Sequence, residues 1–425
     1  MRLAPSSPSA RRRIRRLAAI VAVLLTCVVP TAVAVKPIPL DWKHMVGDPS
    51  VMKASKKYVV IATGDKVARG LSKDGKVWKW KGSALSSLPT WARAGDIWAA
   101  DLAKVGGHYL LYFAAPVRGK TASSRCIGVA TATNPKRAFT PVAGPPLVCP
   151  TWSGLGAADR VLDPTAVAQY NADVTDFKQR KAACKVTPTP TPTPTPTDPS
   201  DPASTPPAVY PGGPDCTTLT PPVKPQTASN VIGAIDPSLF VDSNRQPYLL
   251  YKTDGIPSSI RILPLTADGL HPAAITDQTA PQAASRPIVN STGVLENPVI
   301  AKHGSRYYLF DSQGDYARCS YQTVWRASTS LTDWSHSLSH VLLSRNNTHK
   351  LCGPGGADIL PLAHKTLIYF EAWTCKRTWK PCGRRFWAYQ RKWEKKHPER
   401  ALYGAKLTFP GGVPHIKKYL KGSKH

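Results

Sequence analysis

The chain predicts an all-β fold, a five-bladed β-propeller, on three observations. A strand-like burst of tyrosine and apolar residues occurs five times: Tyr58-Val59-Val60-Ile61, Tyr109-Leu110-Leu111-Tyr112, Tyr248-Leu249-Leu250-Tyr251, Tyr307-Tyr308-Leu309-Phe310 and Leu367-Ile368-Tyr369-Phe370. An acidic residue precedes each burst, at Asp48, Asp101, Asp236, Glu296 and Asp358. These acids recur about every sixty residues with one longer interval, and repeats of that size made of short strands and turns are the sequence mark of propeller blades.

The first repeat opens with Gly47-Asp48-Pro49-Ser50-Val51, the second with Trp98-Ala99-Ala100-Asp101, and the third with Ile235-Asp236-Pro237-Ser238-Leu239. The fourth opens with Leu295-Glu296-Asn297-Pro298-Val299 and the fifth with Gly356-Ala357-Asp358. A single Asp-Pro-Ser is ordinary turn chemistry, with proline tolerated at the first position of a strand. Recurrence ahead of successive bursts asks for more than a turn. The innermost strand of every blade lines the central channel, so equivalent positions on different blades converge on one axis.

The long interval between the second and third acids is explained by an insertion over residues 165–230, which lacks strand signals and carries the alternating tract from Thr187 to Thr197. The whole insertion is expected to be disordered, and its tract extended and polyproline-like, because proline removes backbone donors and nothing apolar is available to bury. At the N-terminus, Arg11-Arg12-Arg13-Ile14-Arg15-Arg16, the apolar run from Leu17 to Val29 and Ala32-Val33-Ala34 read as a signal peptide over residues 1–34. Residues 36–425 then form one propeller domain, expected to be secreted or cell-wall associated, monomeric, and free of the membrane after cleavage.

Of nine cysteines, Cys27 lies in the signal, and the remaining eight favour disulfides in an exported chain. Pairing each with its sequence neighbour would place Cys126–Cys149 within the second repeat and close the Thr-Pro tract with Cys184–Cys216. Zinc is the poorer reading, because Cys375 and Cys382 lack the Cys-x-x-Cys spacing of a structural site.

The formal net charge is +30, densest from Lys376 to Arg400, where Lys and Arg alternate with Trp379, Phe386, Trp387, Tyr389 and Trp393. Cations interleaved with aromatics suit phosphate contact and base stacking. Export argues against nucleic acid and for an anionic envelope polymer or uronate-bearing polysaccharide, attracted at long range. A solvated basic surface with aromatics packed beneath it is the plain alternative.

The repeated acids, together with Trp98-Ala99-Ala100-Asp101, Gly128-Val129-Ala130-Thr131, Asn134-Pro135, Phe139-Thr140-Pro141 and Gly353-Pro354-Gly355-Gly356, resemble glycoside hydrolase family 43 from about Asp41 to about Leu407. That family consists of five-bladed propeller enzymes acting on arabinose- and xylose-containing polysaccharides. The resemblance implies that Asp48 is the general base, Glu296 the general acid, and Asp236 the residue that orients the acid and adjusts its pKa. Chemistry asks for the same division, since inversion uses one carboxylate to activate water and one carboxyl to protonate the leaving oxygen, about 6.5–9.5 Å apart. Trp98, Asp101 and Trp373 are candidate substrate contacts, with Trp78 and Trp152 weaker ones.

Two departures stand out: Gly47 where the family often has histidine, and Tyr369-Phe370-Glu371-Ala372-Trp373 where it often has a Tyr-His pair that helps hold an axial ion. No cofactor is required; an axial calcium stays open, with Glu371 as an alternative oxygen donor. The expected activity is hydrolysis of α-L-arabinofuranosyl linkages in a plant or cell-wall polysaccharide by inversion. A β-xylosidase or galactan-acting hydrolase would use the same acids, and a non-catalytic glycan-binding propeller is the second rival.

Overall fold

The computed structural model describes residues 36–41, 43–150, 153, 159–160, 166–183, 221–222, 231–273, 285–374 and 399–422. The signal segment, the Thr-Pro tract, Trp152, Cys184, Cys216, Cys375, Cys382 and all but the last two residues of the basic stretch lie outside the described residues.

Five sheets, antiparallel except where Val148–Cys149 pairs in parallel with Asp159–Arg160, form the five blades expected from the repeats. Blade one runs Ser50–Ala54, Lys57–Ala62, Ala68–Ser72 and Trp78–Ser83 from axis to rim. Blade three runs Gly233–Val241, Pro247–Asp254, Ser258–Pro264 and Arg286–Ser291, and blade four Leu295–His303, Arg306–Gln313, Gln322–Ser328 and His340–Leu343. Blade five consists of Cys352–Leu362, Lys365–Thr374, Glu399–Thr408 and His415–Tyr419. In blade two, Asp96–Val105, His108–Pro116 and Arg125–Ala132 are regular, while the rim is split between Thr140–Pro141 and Val148–Cys149. Each inner strand packs against those of both neighbouring blades, and blade five meets blade one. Leu40 N donates to Leu402 O at 2.7 Å and Val46 N to Arg400 O at 2.8 Å, so the N-terminal segment fastens the ring closed.

The apolar bursts are the second strands, and their two faces serve two interfaces. Leu111 and Phe113 point into the core shared with blade one, whereas Leu110 and Tyr112 point into the core shared with blade three. The same alternation assigns Phe310 and Phe370 to the interface of blades four and five, and Tyr58 and Tyr369 to that of blades five and one. A strand buried on both faces reads as a continuous apolar run rather than an alternating one. Full burial of each such Leu or Phe stabilises the fold by about 1.5–3 kcal/mol.

A buried tyrosine hydroxyl needs a partner, and here the partner is a turn of the next blade. Tyr112 donates to Gly269 O at 2.7 Å, Tyr308 to Gly412 O at 2.8 Å and Tyr369 to Gly75 O at 3.0 Å. In three of the five repeats a tyrosine of the burst is therefore an inter-blade fastener.

The insertion is not disordered throughout, as the sequence reading had it. Ala166–Ala183 is an α-helix of 18 residues. It contains neither Gly nor Pro, pairs Asp176 with Arg180 one turn apart, and ends on Arg180 and Lys181, which complement the negative end of the helix dipole. Among the described residues no helix is long and apolar enough to cross a membrane. Disulfides join Cys126 to Cys149 within blade two and Cys319 to Cys352 between blades four and five, the pairing expected of sequence neighbours.

Candidate active site

Every inner strand begins with the same irregularity. Pairing with the second strand slips by one residue between Trp98 and Asp101, Ile235 and Ser238, Glu296 and Val299, and Gly355 and Asp358. Each slip is a bulge whose second residue has positive φ: Ala99 (40°), Asp236 (55°), Asn297 (50°) and Gly356 (56°), matched in blade one by Asp48 (50°). Asp, Asn and Gly tolerate this left-handed region best, which explains four of the five identities. These five residues line one cavity at the axis.

The bulges correct the register in which the acids were aligned. Asp48 and Asp236 are equivalent, but the fourth member of their set is Asn297, with Glu296 one position earlier. Asp101 and Asp358 lie two positions later, level with Ser50 and Ser238. The true equivalents of Asp48 in blades two and five are Ala99 and Gly356.

Asn297, missed by the sequence reading, ties the site together. Its backbone N–H donates to Asp236 Oδ2 at 3.0 Å, and its amide Nδ2 donates to Asp48 Oδ1 at 2.9 Å. The Asn-Pro following Glu296, equivalent to the two Asp-Pro pairs, was the signal that could have found it. Asp48 receives a further bond from Thr63 Oγ1 at 2.7 Å, and Arg400 Nη1 lies 3.7 Å from it. Glu296 accepts from Lys252 Nζ at 3.0 Å on one oxygen and from Tyr321 Oη at 2.9 Å on the other. The Asp48 and Glu296 side chains each keep 16% exposure, whereas Asp236 is buried. Two carboxyl groups can thus meet a ligand while the third acts from behind.

Burial pushes Asp236 up to about 8, aided by the nearby charges of Glu296 and Asp48 and opposed by Lys252. Burial also raises Asp101 to about 6 and Asp358 to about 8. Asp101 accepts from Ser50 Oγ and Leu239 N, both at 2.8 Å, and Asp358 accepts from Val51 N at 2.6 Å. With both oxygens engaged by blades one and three, Asp101 joins those blades, and it lines the same axial cavity as Asp48 and Asp236.

The two departures from the family pattern are one feature. Arg400 Nη1 donates to Glu371 Oε1 at 2.6 Å, and Glu371 Oε2 accepts the Asp48 backbone N–H at 2.7 Å. A Cβ on Gly47 would lie 2.3 Å from Arg400 Nη2, so glycine is needed there because the guanidinium fills the space. Burial raises Glu371 while Arg400 opposes that rise. With both oxygens engaged, Glu371 does not fit the part of a calcium ligand. Among the described residues no group of three or more His, Cys, Asp or Glu side chains is arranged to hold a metal ion.

Of the aromatic candidates, Trp98 is half-buried with the Arg125 guanidinium 3.4 Å from its ring centroid. Trp373 is buried and donates to Tyr316 O at 2.8 Å, and Trp78 packs edge-on against Tyr369 inside the core. Tyr316 is 50% exposed, its ring 5.6 Å from the Arg400 guanidinium, and it presents the open aromatic face that neither Trp78 nor Trp373 offers.

The family model described as glycosyl hydrolases family 43 matches residues 42–170 and 218–411. The fold is similar to that of a thermostable family-43 glycoside hydrolase, with 15% identity and a TM-score of 0.56, over 89% of this chain and 95% of the other. It is similar to an exo-1,5-α-L-arabinanase from a bovine ruminal metagenomic library, with 17% identity, a TM-score of 0.52, and 88% and 96% covered. An endo-1,4-β-xylanase from Bacteroides thetaiotaomicron gives 17% identity, a TM-score of 0.51, and 89% and 97% covered.

Proposed function

Because the chain belongs to glycosyl hydrolase family 43 and is a glycoside hydrolase, we propose that it cleaves α-L-arabinofuranosyl linkages in arabinan or an arabinose-substituted polysaccharide by an inverting mechanism. Asp48 acts as general base, taking a proton from the water that attacks the anomeric carbon. Glu296 acts as general acid, protonating the glycosidic oxygen as its bond to that carbon breaks. Asp236 orients the acid from behind. The observation that carries this reading is Asn297, which binds Asp48 and Asp236 at once and is the chain neighbour of Glu296.

Inversion needs the base and the acid on opposite faces of the sugar, and Asp48 of blade one and Glu296 of blade four, both partly exposed, supply two directions of approach. Asp48 is held in place for that role, one oxygen accepting from Thr63 Oγ1 and the other from Asn297 Nδ2. The proposed reaction uses carboxylates and water and calls on no cofactor. Secretion is supported by the N-terminal segment and by two disulfides, which persist in oxidising compartments. Xylan is the second candidate substrate, favoured by a fold likeness to the xylanase comparable to that to the arabinanase.

The test is release of reducing sugar from arabinan, arabinoxylan, galactan and aryl glycosides by the mature protein and its Asp48→Asn, Asp236→Asn and Glu296→Gln variants. Activity confined to arabinose-bearing substrates and lost in all three supports the proposal. Equal activity of parent and variants would end the assignment of the acids, and a protein that binds glycans without cleaving any would be a binding propeller.

A further inference from the structure

One position in the second strand is used alike in three blades and differently in the blade beside the acid. Opposite the bulges stand Thr63, Ala114, Lys252, Ser312 and Glu371. Thr63 accepts the backbone N–H of Ala99, Ser312 that of Gly356, and Glu371 that of Asp48. In each case the acceptor serves the bulge residue of the next blade. A protonated lysine has no acceptor, so in blade three that service falls to Asp236, which takes the Asn297 N–H. Lys252 instead reaches one position further and donates to Glu296.

We propose that Lys252 is a positioning residue for the general acid, fixing the Glu296 carboxyl with Tyr321 and stabilising the carboxylate left when its proton has gone to the leaving oxygen. This inference rests on the assignment of Glu296 as that acid. A buried ammonium is costly unless paired, and Lys252, 2% exposed, is paired by Glu296 at 3.0 Å and Asp254 at 3.4 Å. A plain inter-blade fastening would have been met by an uncharged acceptor, as at Thr63 and Ser312. Charge at this position acts where charge develops, because Glu296 passes from neutral to anionic as the glycosidic bond breaks.

The other charged or titratable groups around Glu296 are Asp236 and Asp254 on blade three with Arg125 behind them, Tyr321 on its own blade, Asp48 on blade one, and the Glu371–Arg400 pair on blade five. Removing Lys252 leaves the acids near Glu296 less compensated. With that charge gone Asp236, which Lys252 now holds down against burial, keeps its proton to higher pH, and the protonated form of the site extends with it.

The experiment compares pH profiles of kcat/KM for the parent, Lys252→Met, Lys252→Gln and Asp254→Asn on a natural oligosaccharide and on a nitrophenyl glycoside. Loss of the ammonium moves the alkaline limb up by roughly one to three pH units. It also lowers kcat by at least about tenfold on the oligosaccharide and less on the nitrophenyl substrate, whose leaving group needs little protonation. Gln follows Met, because charge is the active property. Asp254→Asn, at a side chain with 22% exposure, leaves the ammonium to Glu296 and moves the limb down. An alkaline limb that stays in place in a folded neutral variant, or in Asp254→Asn should the neutral variants fail to fold, overturns the inference. Glu296→Gln run in parallel separates the failures: full activity there removes the acid assignment itself, whereas an inactive Glu296→Gln beside an unmoved limb removes only the role of Lys252.

Discussion

At Asn297 one backbone amide and one side-chain amide serve two acids. Glycine at this position would keep the positive φ and the N–H to Asp236 but drop the bond to Asp48. A hydrogen bond to a charged group is worth about 1.5–3 kcal/mol, so Asn297→Gly is expected to lower kcat by roughly 10- to 100-fold with the fold intact by circular dichroism. A kcat within twofold of the parent would show that Asp48 is oriented by Thr63 and its backbone alone. Asp48→Asn and Glu296→Gln remove proton handling outright, and each is expected to lower turnover by about 10²- to 10⁴-fold, measured on arabinan at fixed pH.

The elements were legible where the sequence carries volume and pattern, and obscure where it carries a backbone irregularity. Five apolar bursts announced five second strands, because a strand buried on both faces writes itself as an unbroken run. The acids were harder to place. Asp101 and Asp358 looked like partners of Asp48, yet they stand two positions after the bulge residues Ala99 and Gly356, and a period-two pattern does not tell position i from i+2. Asn297 was passed over because only an acid was sought at that position. Lys252 and Arg400 gave no local signal for their place in the site, since Glu296 and Glu371, which they bind there, lie 44 and 29 residues away. The helix Ala166–Ala183 was lost beside the low-complexity tract that follows it. The tyrosines offer a test at this scale: Tyr112→Phe deletes the bond to Gly269 O and leaves that carbonyl unpaired in the core, at a cost of about 1–3 kcal/mol. Thermal unfolding should show a lowered Tm, and an unchanged Tm would mean that the hydroxyl does not fasten blade two to blade three.

For the molecule as a whole, closing the ring gathers an acid from every blade, Asp48, Asp101, Asp236, Glu296 and Asp358, and carboxyls withdrawn from water are the consequence. Asp358, at 3.8 in its ordinary state, is raised to about 8 first by burial and then by Asp101. The folded protein therefore holds a proton that the unfolded chain releases near pH 4. The stability contributed by the neutral carboxyl is fully present below that pH and is lost as pH climbs toward 8. Asp358→Asn keeps an oxygen for the Val51 N–H and removes the titration, so its Tm is expected to fall less than the parent's between pH 5 and pH 8. A parallel fall in both proteins would assign the pH dependence elsewhere.

The central claim is that Asp48 and Glu296 act from two sides of one sugar, and the anomeric configuration of the first product reads this directly. Proton NMR of the earliest hydrolysis product from an α-1,5-linked arabino-oligosaccharide is expected to show the β-anomer, the inverted configuration, before mutarotation equilibrates the signals. Initial appearance of the α-anomer would mean a retaining reaction through a covalent intermediate and would contradict the assignment of Asp48 as a base acting on water.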